Sequence, residues 1–174
     1  CLTLAADARL ATPDYCNDHI WELSLEGGEP PALILYTTYG LRAGWLRLFP
    51  RFIRGSAAIT NPAEFAEPPR VKHFYPNYLA LAFAPFQGID VWMEYWVPAS
   101  QIVTGRIRLV NNSVLKENLR IEWIGLLNPL GEGESMSAVQ TGSGYALTGK
   151  TEDLFPVCLV SGVPGPVSSP FPAL

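Results

Sequence analysis

Residues 89–127 read IDVWMEYWVPASQIVTGRIRLVNNSVLKENLRIEWIGLL, and their alternation decides the fold class. Val91, Met93, Tyr95 and Val97 fall on one side of an extended chain, and Trp92, Glu94 and Trp96 on the other. A period of two is the mark of a strand, since successive side chains of pleated backbone point to opposite faces. Both sides carry large apolar groups, so the pattern predicts that both are covered. In 100–112, Val103, Gly105, Ile107 and Leu109 point inward and Thr104, Arg106 and Arg108 outward. NSVLKEN (112–118) turns the chain and LRIEWIGLL (119–127) returns, with Leu119, Ile121, Trp123 and Gly125 inward and Arg120 and Glu122 outward. Antiparallel pairing of these two segments would set Arg106 or Arg108 opposite Glu122.

The same rhythm extends outward. IWELSL (20–25) alternates Ile20, Glu22 and Ser24 with Trp21, Leu23 and Leu25. ALILYTTYG (32–40) is rich in the β-branched and aromatic residues that suit a pleated surface. WLRLFPRFIRG (45–55) alternates too, but Pro50 has no N–H for a ladder and predicts a break, a bulge or an edge. Residues 58–70 read as a loop with one helical turn at 62–66. Residues 70–75 and 78–84 read as a hairpin about Pro76-Asn77, and three short strands follow at 135–140, 144–149 and 155–160. About ten to twelve short strands with regular turn signals describe an all-β antiparallel sandwich. It spans 1–160; the Pro/Gly/Ser-rich segment 161–174 reads as a tail or linker.

Composition agrees. The chain of 174 residues carries 16 prolines and 15 glycines, which punctuate it too often for long helices. Charged residues make up 16%, below the roughly 25% usual in globular domains, which suggests a large covered surface. With net charge −4 and no basic run, nucleic acid is not an expected partner. No run approaches 18 apolar residues, so no membrane span is expected. Cys1, Cys16 and Cys158 cannot all pair with one another and lack zinc spacing, so they read as reduced thiols of a cytoplasmic protein.

Motifs for chemistry are weak. GYALTGKT (144–151) matches the spacing of a phosphate-binding P-loop. That motif works through the helix that follows it, and Pro156 blocks one here. The expectation is a strand over 144–148, a turn at Gly149 and an exposed Lys150. No GxSxG elbow appears, and His19 and His73 have no identifiable nucleophile to serve. Asp14, Cys16, Asp18 and His19 form the one metal-like cluster, but side chains in such a strand entry usually bond local backbone. No catalytic residue, cofactor or metal is therefore assigned. Glu94 between Trp92 and Trp96 is the notable carboxylate: it could bind sugar hydroxyls while the indoles stack on the sugar, or be ion-paired beneath a neighbouring domain. Tyr36, Tyr39, Trp45 and Phe49 gather around Gly40 and Gly44 as a second set of aromatics for a carbohydrate platform or a domain interface.

The 89–123 stretch, with its strand ending in Val97-Pro98, its RIRLVNNS segment and its LRIEW return, resembles the N-terminal supersandwich domains of bacterial six-hairpin glycoside hydrolases. Glycogen debranching enzymes and amylo-α-1,6-glucosidase-like proteins are examples. PDYCNDHIWEL (13–23), residues 30–52 and residues 68–79 extend the resemblance over most of 13–160. It implies a galactose mutarotase-like fold, in part or whole. It also implies an N-terminal accessory domain that does no chemistry itself and packs on a separate helical (α/α)6 catalytic domain of the same polypeptide, shaping its substrate cleft. An independent carbohydrate-binding module is the alternative, with oligosaccharide as partner. A hydrolase acting on its own is the weakest of the three, because no acid–base pair can be named. The interface or sugar candidates are Trp92, Glu94, Trp96, Tyr36, Tyr39 and Trp45.

Overall fold

The computed structural model describes residues 1–6, 20–28, 30–37, 46–127, 134–141, 144–150 and 155–160. Among the described residues the strands are β1 (Leu2–Ala5), β2 (Ile20–Ser24), β3 (Ile34–Thr37), β4 (Arg47–Arg54), β5 (Ala57–Ile59), β6 (Glu67–Tyr75), β7 (Tyr78–Phe86), β8 (Ile89–Ala99), β9 (Ile102–Asn111), β10 (Leu119–Leu126), β11 (Glu134–Thr141), β12 (Gly144–Lys150) and β13 (Val157–Val160). One 3-10 turn, Pro62–Glu64, separates β5 from β6. Asn61 caps it by accepting from the Ala63 N–H, and Pro62 occupies the first helical positions, where a missing donor costs nothing. All strand pairs are antiparallel. The first sheet has the order β1-β2-β3-β4-β10 with β5 also on β4, the second β6-β7-β8-β9, and the third β11-β12-β13. The chain is all-β and sandwich-like, as the alternation requires.

The first two sheets face each other. From the first come Leu4, Trp21, Leu23, Leu35 and Phe52; from the second come Leu79, Leu81, Val91, Met93, Tyr95 and Val97. All of these are buried. Burial of each such side chain contributes about 1.5–3 kcal/mol, which is the main force holding the layers together. Phe52 on β4 sets its ring edge-on against Phe83 of β7 and Phe65 beyond the 3-10 turn, at 5.6 and 5.9 Å between centroids. Two polar ties close one end: the Trp21 indole N–H donates to the Ser100 carbonyl at 3.0 Å, and the Ala5 N–H to the Pro76 carbonyl at 2.8 Å. The third sheet lies against the core-facing side of β10, where Met136 and Leu147 crowd the space a Cβ on Gly125 would need.

Three local expectations are corrected. First, β10 does not return along β9; it pairs with β4 over its whole length, in the other layer. Glu122 therefore accepts from Arg51, with Arg120 Nη2 at 3.0 Å, while Arg106 finds Glu94. The alternation was right and the partner wrong, because consecutive strands usually pair but a short connection can also cross between layers. Second, β4 runs unbroken through Pro50. Of the three outcomes expected there, the break and the bulge fail and the edge holds locally: pairing with β3 ends at Leu48 and with β5 begins at Phe52, so at Pro50 one side of the strand has no ladder to lose. Third, Gly149 and Lys150 belong to β12 and not to a turn: Lys150 pairs with Glu134, and the Gly149 N–H donates to the Pro156 carbonyl at 3.1 Å. Residues Gly144–Lys150 of the P-loop match are thus a strand in a three-stranded sheet. The tail over 161–174 lies outside the described residues.

Candidate functional site

The outer face of the second sheet carries the chemistry. Because β6 to β9 are in antiparallel register, residues far apart in sequence line up in rows across the sheet. One row is Tyr75, Tyr78, Trp96 and Thr104; the next is His73, Ala80, Glu94 and Arg106; the third is Arg70, Ala82, Trp92 and Arg108. The alanines of β7 are small, and neighbouring side chains lean over them. Trp92 reaches across to His73, with 6.1 Å between ring centroids, and Ala80 is wholly covered.

Glu94 is the centre of this face. Its Oε1 accepts from the Tyr78 hydroxyl at 2.6 Å, and its Oε2 from Arg106 Nε at 2.8 Å and Nη2 at 2.6 Å. The Tyr78 hydrogen bond, helped by Arg106 and the Trp92 indole, holds the Glu94 carboxyl below its ordinary value despite its partial burial. The same bond pushes the Tyr78 phenol up. Around this fixed carboxylate the aromatic surface is open. Trp96 is 52% exposed and Tyr75 58%, and the Tyr75 and Tyr78 rings sit 6.3 Å apart at a shallow angle. A concavity of about 310 Å³ is lined by Tyr78, Glu94, Trp96, Thr104 and Arg106. A second, of about 590 Å³, lies beside it between Trp92, Arg106 and Arg108.

Within the described residues the chain itself covers one side of β8. Val91 to Val97 are buried in the core; Trp92 is half-buried and Trp96 stands out in solvent. Tyr36 sits elsewhere, on the outer face of the first sheet. Burial and hydrogen bonding with Glu22 push its phenol up, and Cys1 Sγ lies 3.3 Å from its hydroxyl. Its neighbour there, Phe49, is wholly buried with Ile34 and Ile124, so the Phe49 ring is not open to a ligand. Tyr39 and Trp45 lie outside the described residues, as do Asp14, Cys16, Asp18 and His19. Sequence reasoning missed Tyr75, Tyr78, Arg106 and Arg108. The register that brings Tyr78 to Glu94 depends on a bulge between Phe83 and Phe86, and the one that brings Arg106 there on a shift between Trp96 and Ala99; no residue pattern announces either.

No protein-family model, no curated protein and no solved structure matches this chain. Function therefore has to be argued from the face itself. Among the described residues, no group of three or more His, Cys, Asp or Glu could hold a metal ion. Nor, among the described residues, is any helix long and apolar enough to cross a membrane.

Proposed function

We propose that this chain is a carbohydrate-binding β-sandwich module, and that the outer face of β6–β9 is its binding surface. The observation that carries the proposal is the row of open rings, Tyr75, Tyr78 and Trp96, set beside the hydrogen-bonded Glu94–Arg106 pair. Rings take the apolar face of a pyranose, and a fixed ion pair offers directed donors and acceptors to its hydroxyls. The concavity of about 310 Å³ is at the small end of ligand sites, roughly 300–1,000 Å³, which suits one or two sugar units. The polarity of the face favours a sugar over a second domain, since the centres of protein interfaces are depleted in charge.

Glu94 argues for binding without chemistry. A glycosidase acid needs a raised pKa and a second carboxylate about 5–9.5 Å away. Glu94 is shifted downward. The other carboxylate on the outer face of β8 is Asp90, four residues along, about 13 Å at the usual rise of a strand. Asp90 is itself tied to Asn112 Nδ2 at 2.6 Å. The test is retardation in affinity gels containing neutral or acidic polysaccharides. Migration slowed by at least one polysaccharide, and restored by Trp96→Ala with an unchanged melting temperature, is expected. Free migration in every gel would sink the proposal.

A second reading keeps the accessory role that the resemblance implies, and rests on a different surface. On one face of the third sheet Val139 and Leu159 stand exposed on either side of the buried Ala146, flanked by Val157 and Phe155. Leu159 is 75% exposed and Phe155 69%. Such an apolar strip is what a helical catalytic domain of the same polypeptide would cover. Reading the gene past Leu174 tests it: repeated amphipathic helices support it, and their absence removes it.

A further inference from the structure

The two concavities on the β6–β9 face differ in what they offer a ligand. Around Glu94 the acceptors are already used, one carboxylate oxygen by Tyr78 and the other by Arg106. Thr104 Oγ1 is turned to the Trp96 carbonyl at 3.3 Å. The larger concavity, of about 590 Å³, is walled by Trp92, Arg106, Ile107 and Arg108. Its charged side chains are both guanidiniums, and none of its side chains is a hydrogen-bond acceptor. Arg108 is exposed and pairs with no carboxylate among the described residues. Arg106 spends Nε and Nη2 on Glu94 and is still 76% exposed, so its remaining donors face outward. Arg106 and Arg108 are two residues apart on one strand face, about 7 Å at the usual rise, with the Trp92 ring in the row of Arg108. A chain of net charge −4 has here collected two arginines around one indole.

We infer that the ligand of this face is an acidic sugar, a uronate whose ring stacks on Trp92 and whose carboxylate is held by Arg108 and the outward donors of Arg106. A neutral sugar brings hydroxyls that need acceptors as well as donors, and this concavity lacks the acceptors. A carboxylate brings acceptors only and matches the fork geometry of guanidinium. The inference rests on the carbohydrate-binding proposal above and names its substrate class.

The test is calorimetric titration of the whole chain with galacturonate-, glucuronate- and mannuronate-containing oligosaccharides beside their neutral counterparts. At least one acidic oligosaccharide is expected to bind roughly tenfold or more tightly than its neutral match, the size of effect one charge-assisted contact supplies. Arg108→Gln should erase that preference without moving the melting temperature, and Trp92→Ala should weaken binding of the acidic sugar itself. Equal affinity for acidic and neutral sugars would overturn the inference while leaving the carbohydrate-binding proposal standing. So would an acid preference that survives Arg108→Gln, or competition by polyglutamate as potent as the sugar. Silence from every sugar, acidic or neutral, would overturn both.

Discussion

Phe52 offers the sharpest test of the sandwich. It is 2% exposed, comes from the first sheet, and meets Phe83 of the second edge-on at 5.6 Å, with Phe65 at 5.9 Å. Truncation to alanine removes the whole ring from the interlayer space. A buried Phe→Ala change costs about 3–5 kcal/mol through lost transfer energy and the cavity left behind. With a urea m-value of about 2 kcal/mol/M, 4 kcal/mol moves the unfolding midpoint by about 2 M. That is a large part of a total stability of roughly 5–15 kcal/mol, so Phe52→Leu is the companion variant should the alanine form not fold. Phe74→Ala is the control. Phe74 lies on edge strand β6 and is 48% exposed, so its loss should cost clearly less, about 1 kcal/mol or below. The pair term is separable too: Phe52→Ala and Phe83→Ala together should fall short of additivity by about 0.5–1.5 kcal/mol. Urea melts followed by tryptophan fluorescence read all of this. A cost for Phe52→Ala no larger than for Phe74→Ala, or strict additivity with Phe83→Ala, would show that β4 and β7 do not face each other.

Three further outcomes follow from the same geometry. Tyr78→Phe removes the largest influence holding the Glu94 carboxyl low, so NMR titration should show its pKa move up toward the ordinary carboxylate value; no movement would remove Tyr78 from that role. Gly105→Val should destabilise by about 1–3 kcal/mol, because a Cβ there comes 3.1 Å from the Tyr95 ring atoms, and a neutral result would mean the ring can slide aside. Burial pushes the Cys158 thiol from 9.0 up to about 11, and burial raises the Tyr95 phenol as well. A group raised in the folded state stabilises it fully below its unfolded pKa and loses that contribution as pH climbs through the folded value. The melting temperature should therefore hold to about pH 9 and fall between about 9 and 11, and Cys158→Ala should blunt the onset of that fall; an unchanged onset would show that Cys158 ionisation does not drive it.

Legibility in the sequence followed distance along the chain. Period-two alternation set Val91, Met93, Tyr95 and Val97 of β8 on one face and Thr104, Arg106 and Arg108 of β9 on the other side of theirs, because the pleat alone decides which side a residue takes. It did not show that Ile124, on the Glu122 face of β10, is wholly buried. The Pro76-Asn77 turn was equally readable, and with it the pairing of Tyr75 with Tyr78. Pairing beyond the nearest turn was not. The segments 100–112 and 119–127 look like a hairpin in every local respect, yet β10 joins β4 some seventy residues earlier. Its Glu122 would suit an arginine from either neighbour, so charge could not choose.

The binding face shows the same division. Trp92, Glu94 and Trp96 stand out by themselves, since aromatics flanking a carboxylate on one strand face must lie together whatever the fold. The sequence could not say whether solvent or another domain covers them. Nor could it say that Tyr78 and Arg106 would hold the Glu94 carboxyl low, or that Arg108 would meet no carboxylate among the described residues. Those depend on strand order, on register and on the bulge between Phe83 and Phe86, which shifts β7 against β8. The chain's own pattern determined the strands and their two faces, because steric alternation is local. The tertiary structure decided which faces meet and which stay open, because that is settled by packing between segments far apart in sequence.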